Sequence, residues 1–114
     1  MTTRRPLHPL EQHPSVRAVR AATTPVAELG RAIRDDQLVG ALALACGDLA
    51  HGFAAPPGSA SRAEAHRRAW IAVRELDRTV TAARYRRLAP ALVVSKAQRA
   101  VDRADVMISA LLPA

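Results

Sequence analysis

The feature that most constrains the fold is an apolar seam near the end of the chain. Its members recur at steps of three and four residues and are Val94, Ala97, Val101, Ala104, Ile108 and Leu111. This spacing places them on one face of a helix, and it is the spacing at which antiparallel bundle helices interlock their side chains. The pattern therefore predicts a helix over residues 91–112 that packs against other helices.

A second helix is predicted over residues 35–53. Asp35 and Asp36 suit its positive N-terminal end, and its seam is Leu38, Leu42, Ala45, Leu49 and Gly52. A further apolar stripe runs beside that seam at Val39, Ala43, Cys46 and Ala50. A helix that is apolar on most of its circumference must be covered on several sides. In a domain this small, that requirement indicates an interface between subunits, so we expect a homo-oligomer.

A third helix is predicted over residues 61–88, after the break at Pro56, Pro57 and Gly58. Ser61 followed by Glu64 has the form of a capping box. The seam of this helix is Ala69, Val73, Leu76, Val80 and Ala83.

The start of the chain gives the weakest pattern. Ser15 can cap a helix whose apolar positions are Val16, Val19, Thr23, Val26 and Ile33, but Pro25 interrupts the run. Thr24-Pro25 also has the form of a new helix start, so one kinked helix and two short helices both fit residues 15–34. Residues 1–14 hold three prolines and little apolar pattern, which predicts a flexible segment.

Length and composition agree with a helical domain. The chain has 114 residues, enough for one domain, and its aromatic content of 3% is too low for a typical all-β fold. We therefore predict an all-α protein, an up-and-down antiparallel four-helix bundle over residues 15–114. We predict no membrane-spanning segment. The single cysteine, Cys46, and the absence of a secretory signal pattern favour the cytoplasm.

The charge balance points to an acidic partner. The 17 basic and 10 acidic residues leave a formal net charge of +7, and a continuous basic surface can bind a phosphate backbone with little reading of sequence. The predicted nucleic-acid-binding residues lie on the third and fourth helices and are Arg67, Arg74, Arg78, Arg84, Arg87, Lys96, Arg99 and Arg103. Because Glu75, Asp77, Asp102 and Asp105 interrupt this set, ordinary ion pairing on helix surfaces is the competing interpretation.

The sequence offers no pattern typical of an enzyme. Asp48 and His51 lie one helical turn apart, but a zinc site needs three or four converging ligands and no second cluster exists. Cys46 and His51 are five residues apart, which directs them to different helix faces. No phosphate-binding loop or nucleophile elbow is present. We therefore expect no catalytic residues, no metal and no cofactor, and we read Asp48 and His51 as the polar end of a buried helix that Gly52 stops.

Residues 35–54, "DDQLVGALALACGDLAHGFA", resemble the second helix of a family of small four-helix bundles first noticed within 23S ribosomal RNA intervening sequences. The family reads Q-L-x-R-A and then V-S-I-P-x-N-I-A-E-G-F. Residues 37 and 38, Ala41, Ala50 and residues 52 and 53 match this pattern, whereas Asp48 and His51 replace its Asn and Glu. Glu75 and Leu76 match the Glu-Leu of the family's next helix.

The same fold includes the accessory variability determinant of diversity-generating retroelements. The resemblance implies a homopentamer that binds RNA or DNA and a reverse transcriptase. The sequence thus leads to one main hypothesis, a non-enzymatic, basic, oligomeric bundle that acts as a nucleic-acid-binding accessory protein. The alternative is a protein–protein adaptor or scaffold that binds no nucleic acid.

Overall fold

The computed structural model describes residues 13–113. Within this range the chain forms five helical segments and no strand: α1 (Pro14–Ala21), α2 (Thr23–Ile33), α3 (Leu38–Ala54), α4 (Ala60–Tyr85) and α5 (Ala91–Ser109). The predicted all-α class is confirmed. Apart from His13 and Pro14, the predicted flexible segment 1–14 lies outside the described residues.

The first two segments continue one another around a single residue. Ala22 keeps a right-handed helical conformation, its N–H donates to the carbonyl of Ala18 at 3.1 Å, and its carbonyl accepts from the N–H of Val26 at 3.0 Å. The series of helical backbone hydrogen bonds is interrupted here because Pro25 has no N–H to donate to a carbonyl of the preceding turn. Of the two possibilities that the sequence left open, the structure shows two short segments that together form one kinked helix.

Both N-caps lie two residues before the predicted ones. Helix α1 is capped by His13, whose Nδ1 accepts from the N–H of Ser15 at 3.2 Å, and Ser15 itself is fully buried inside the helix. Helix α4 is capped by Ser59 rather than Ser61, because the Ser59 hydroxyl accepts from the N–H of Arg62 at 3.2 Å. Two serines so close together in sequence offer the same capping chemistry, and the geometry of the preceding turn selects one of them.

The helix ends also differ from the predictions. Asp35 and Asp36 lie in the turn before α3, where the Asp35 carboxylate accepts from the N–H of Gln37 at 3.0 Å. Helix α4 ends at Tyr85 and not at residue 88, and α5 ends at Ser109 and not at residue 112. Gly52 does not stop α3, which continues to Ala54.

The predicted seams form the core. Every seam position predicted on α3 and α4 is buried, and on α5 only Leu111 is half-buried. On the first two segments Val16, Val19 and Val26 are buried as expected, but Thr23 is exposed and Leu29 is fully buried without having been predicted. The apolar stripe predicted beside the α3 seam is divided, since Cys46 packs against the core, Val39 is half-buried, and Ala43 and Ala50 are exposed.

The helices pack as neighbours around this core. Helix α3 packs against α4, α4 against α5, and α1 and α2 together against both α3 and α5. Each helix therefore has two neighbours and one outward face. Within the described residues no helix is long and apolar enough to cross a membrane.

Candidate nucleic-acid interface

A groove runs between the kinked first helix and the last helix. One part of it, of about 450 Å³, lies between Thr24, Pro25 and Glu28 on α2 and Lys96, Arg99 and Arg103 on α5. A second part, of about 420 Å³, continues along α1 and α5 between Arg17, Arg103 and Met107. Ala18, Ala21 and Arg103 line both parts, so the two form one continuous groove.

The rim of this groove is basic and its floor is apolar. Arg17, Lys96, Arg99 and Arg103 are all exposed, and none of them forms an ion pair within residues 13–113. Glu28 is the one acidic residue among the described side chains that line the groove. Lys96, Arg99 and Arg103 follow one another at three and four residues, which is about 4.5 and 6 Å along the helix axis. The groove therefore presents a row of positive charges that form no ion pair within the described residues, with Glu28 as the one carboxylate in its described lining.

Three of the predicted arginines of α4, namely Arg67, Arg74 and Arg78, lie elsewhere. Arg67 pairs with Glu64. Arg74 lies 3.3 Å from the Asp105 carboxylate and 3.9 Å from that of Asp77. Only Arg78 of the three has no ion pair within the described part of the chain.

A row of carboxylates, Asp77, Asp102 and Asp105, lies along the contact between α4 and α5. The indole N–H of Trp70 donates to Asp105 at 2.8 Å, and the Arg74 guanidinium lies 5.9 Å from the centre of the Trp70 ring. Further along this row, the Gln98 side-chain amide donates to both Asp77 at 2.7 Å and Asp102 at 2.9 Å. The carboxylates between α4 and α5 are therefore engaged by groups of both helices. Ion pairing, the competing interpretation, describes Arg67 and Arg74, whereas Lys96, Arg99 and Arg103 of α5 form no ion pair with any residue of the range 13–113.

Of the two remaining predicted residues, Arg84 lies in the last turn of α4 and Arg87 in the turn that follows it. Both are exposed and line a separate pocket with the start of α5. The eight predicted residues therefore do not share one face. They divide into a set in the groove, a set on α4 and a pair at this turn.

A cluster of two histidines and Phe53 ties the start of α1 to the end of α3 and the start of α4. The ring of Phe53 lies between those of His13 and His66, with centroid distances of 4.4 and 4.8 Å. The Arg62 guanidinium donates to the carbonyl oxygens of Phe53 at 2.9 Å and Ala55 at 2.8 Å, which satisfies the last carbonyls of α3. These contacts hold the end of α3 and assign Arg62 a structural role.

His66 is 3% exposed and its Nε2 has no hydrogen-bond partner among the described residues. Burial lowers the pKa of His66, and the nearby charges of Arg62 and His13 lower it further. Burial also lowers the pKa of His13. Both shifts favour the neutral form of the imidazole ring.

The residues considered earlier for chemistry do not converge on a reactive site. Among the described residues no group of three or more His, Cys, Asp or Glu side chains is placed to hold a metal ion. Burial raises the pKa of the Cys46 thiol, although the charge and hydrogen bond of Arg20 oppose this shift. A raised pKa disfavours the thiolate, which is the reactive form of cysteine. His51 is exposed and Asp48 half-buried on the outer side of α3.

Sequence reasoning missed the half of the groove that lies on the first helix. Arg17 and Ala21 are four residues apart and therefore share one face of α1, where Ala18 and Ala21 place only small side chains towards α5. That spacing was readable in the sequence, but the pairing of the first helix with the last is a tertiary contact. Comparison with protein-family models, with curated proteins and with solved structures finds no match for this chain.

Proposed function

We propose that this protein is a non-enzymatic helical bundle that binds the phosphate backbone of RNA or DNA. The observation that carries the proposal is the groove between the first and last helices, whose four cations have no ion pair within the described residues. Positive charges that are not neutralised by the protein can release counterions from a nucleic acid, and this release drives backbone binding.

The groove favours backbone contacts over the reading of bases. None of the residues that line its two parts is aromatic, so it offers no platform for stacking an unpaired base. Its cations are four separate positive charges above an apolar floor, without the amide side chains that read adenine. We therefore expect binding that depends strongly on salt and little on sequence.

The bundle that carries the groove is proposed to be an up-and-down antiparallel one. The supporting contacts pair Gly52, near the end of α3, with His66, near the start of α4. They also pair Trp70 with Asp105 and Asp77 with Gln98, which run in opposite order along α4 and α5. Short turns between neighbouring helices suit the same arrangement.

We also propose that the bundle assembles into a homo-oligomer in the cytoplasm. The outer side of α3 supports assembly, because Gly40, Ala43, Leu44, Gly47 and Ala50 are exposed there and none of them is charged. The resemblance of residues 35–54 to the intervening-sequence bundles suggests five subunits and an accessory role beside a reverse transcriptase. Repetition of the groove around an oligomer axis would let several weak contacts act on one strand.

The adaptor function is the second candidate, and the same outer side of α3 is the observation that favours it. Leu44 is 69% exposed, and a partner helix could cover it as well as a second copy of the chain could. Such a partner would bind through apolar contact and would respond little to salt. Nucleic acid on the basic groove would respond steeply, so a salt series separates the two functions.

The test is fluorescence anisotropy of the whole protein with labelled duplex DNA and single-stranded RNA over a series of salt concentrations. Changing Arg99 and Arg103 to Gln removes two groove charges, so the slope of log K against log salt on the duplex should become shallower by about 1.8. The matched variant changes Arg67 and Arg78 to Gln, which removes the same charge from α4 and should leave binding within about twofold.

The outcomes distinguish the possible sites. If only the α4 variant weakens binding, the groove is wrong as the site and the α4 face takes its place. If both variants weaken binding equally, net charge and not the groove determines affinity. If the parent protein binds neither nucleic acid at low salt, the proposal fails and the adaptor function becomes the better candidate.

A further inference from the structure

The turn between α4 and α5 forms a pocket that is distinct from the groove. It has a volume of about 530 Å³ and is lined by Arg84, Arg87, Ala89, Ala91, Val94 and Ser95. Val94 is 3% exposed and belongs to the core, so the apolar part of this pocket is continuous with the interior of the bundle. The two guanidinium groups lie on the side that α4 contributes. The pocket therefore combines an apolar surface with two positive charges.

The chain around this pocket carries no compensating negative charge. No Asp or Glu lies between Asp77 and Asp102. The basic residues in that stretch are Arg78, Arg84, Arg86, Arg87, Lys96 and Arg99. Within the described residues, neither Arg84 nor Arg87 forms an ion pair. A ligand that enters the pocket meets a field of one sign, which favours carboxylates or phosphates.

Large apolar side chains surround the same turn. Tyr85 is 82% exposed, Leu88 is 49% exposed and Leu92 is 66% exposed. These three are half of the six large apolar side chains that the described residues leave exposed. These three side chains lie close to the turn along the chain and are not part of the pocket lining. Exposed apolar residues beside arginines are a composition typical of protein-binding surfaces.

The backbone at this turn is also unusual. Arg87 has a φ of 52°, and the N–H of Leu88 returns to the carbonyl of Ala83 at 3.0 Å to close the end of α4. Glycine is the usual residue at such a position, because it has no Cβ to crowd the following carbonyl oxygen in the left-handed conformation. The turn before α4 does use glycine, Gly58, at a φ of 76°. Arg34, at the end of α2, has the same conformation with a φ of 57°, so this protein ends two helices with an arginine in a position that glycine would fit better. Arg87→Gly is therefore compatible with the backbone of this turn.

We propose that this pocket is a docking site for an acidic segment of a partner protein. An apolar side chain of the segment packs against Ala89, Ala91 and Val94, and its carboxylates pair with Arg84 and Arg87. Tyr85, Leu88 and Leu92 cover the rest of the segment. The complementary charge selects the partner, and the apolar contacts supply the surface that is removed from water.

The apolar surroundings favour a protein partner over nucleic acid at this turn. A phosphate backbone would engage the arginines but would leave Leu88 and Leu92 in water and the pocket unfilled. An acidic segment with apolar residues satisfies both features at once. The protein would then hold nucleic acid along the groove and a protein partner at the turn.

The experiment uses the whole chain and a short fluorescent peptide of alternating glutamate and leucine, followed by anisotropy. Changing Arg84 and Arg87 to Gln and Gly, respectively, should weaken peptide binding about tenfold, because two charge-assisted contacts are lost. The same variant should unfold at an equal or higher temperature, because glycine relieves the left-handed position. Ala91→Trp keeps every charge and fills the pocket, so it should weaken peptide binding as well.

Peptide and nucleic-acid controls complete the design. A peptide of alternating glutamate and serine should bind more weakly than the glutamate–leucine peptide, and labelled duplex DNA should bind the turn variant as it binds the parent. The docking site is refuted if the parent does not bind the glutamate–leucine peptide, or if Ala91→Trp leaves its affinity unchanged. It is also refuted if the turn variant loses DNA and peptide affinity by the same factor, since the turn would then be a nucleic-acid contact. Failure of DNA binding in the parent bears on the groove alone.

Discussion

Gly52 and His66 provide a sharp test of the packing between α3 and α4. Gly52 is a buried residue near the end of α3. A Cβ added to it would lie 2.5 Å from Nε2 of the His66 ring and would also be too close to Cδ2 of that ring. The His66 ring has little room to move away, because it is 3% exposed and its ring centre lies 4.8 Å from that of Phe53. Gly52→Ala should therefore destabilise the protein.

The magnitude follows from two opposing terms. Alanine in place of glycine inside a helix gains about 0.8–1.0 kcal/mol. Overpacking a close-packed contact costs about 1–3 kcal/mol. The net loss should be about 1 kcal/mol, which for a domain of this size lowers the melting temperature by about 4 °C.

Gly47→Ala on the same helix is the matched control. Within one chain Gly47 is exposed and an added Cβ there has nothing within 4 Å, so only the gain in helix propensity remains. Because Gly47 also lies on the side of α3 proposed for assembly, both variants must give the parent's mass in light scattering. The difference in unfolding free energy between the two variants then measures the clash alone, about 1–3 kcal/mol. Urea denaturation followed by circular dichroism should be run at one protein concentration, since assembly would make stability depend on it.

A double-mutant cycle with His66→Ala identifies the neighbour responsible. In the His66→Ala background the ring is gone, so Gly52→Ala should become stabilising, as Gly47→Ala is. If Gly52→Ala is as stable as Gly47→Ala in the parent, α3 and α4 do not meet as described. If the clash persists without the imidazole, His66 is not its cause.

Four further outcomes are expected. Leu76→Asp buries an unpaired carboxylate on the α4 seam, where Leu76 is 2% exposed, and should abolish cooperative unfolding; a folded variant would show that this seam is not the core. The pKa of His66 is lowered in the folded protein, so below about pH 6.5 the unfolded chain binds more protons than the folded one. The free energy of unfolding should therefore be highest above that pH and should decrease below it. His66→Phe should reduce that pH dependence in urea titrations, and an unchanged slope would assign it to another group. Light scattering should give a mass above 12.2 kDa, and Leu44→Arg should lower it; a parent that is monomeric at micromolar concentration would exclude assembly through α3. The Arg99→Gln and Arg103→Gln pair should leave the melting temperature within about 1 °C, because exposed charges without ion pairs contribute little to stability.

The sequence by itself determined the helical class and most of the core. Apolar residues at three- and four-residue steps can share a buried face only in a helix, so the seams of α3, α4 and α5 were readable without any tertiary information. Leu29 was missed because Pro25 obscured the period of the kinked first helix. The helix ends were displaced for a related reason, since capping residues such as Ser59 and Ser61 compete locally and the fold of the turn selects between them.

The candidate site depended far more on tertiary structure. Net charge and residue type showed that a basic surface exists, but they could not show which cations keep their charge uncompensated. That is decided by contacts between residues distant in sequence, such as Arg74 with Asp105 across α4 and α5, or Arg17 beside Arg103 along the groove. The spacing along one helix fixes which side chains share its face. Only the packing of one helix against another decides which face meets a carboxylate and which remains open to a ligand, because those interactions act through space and not along the chain.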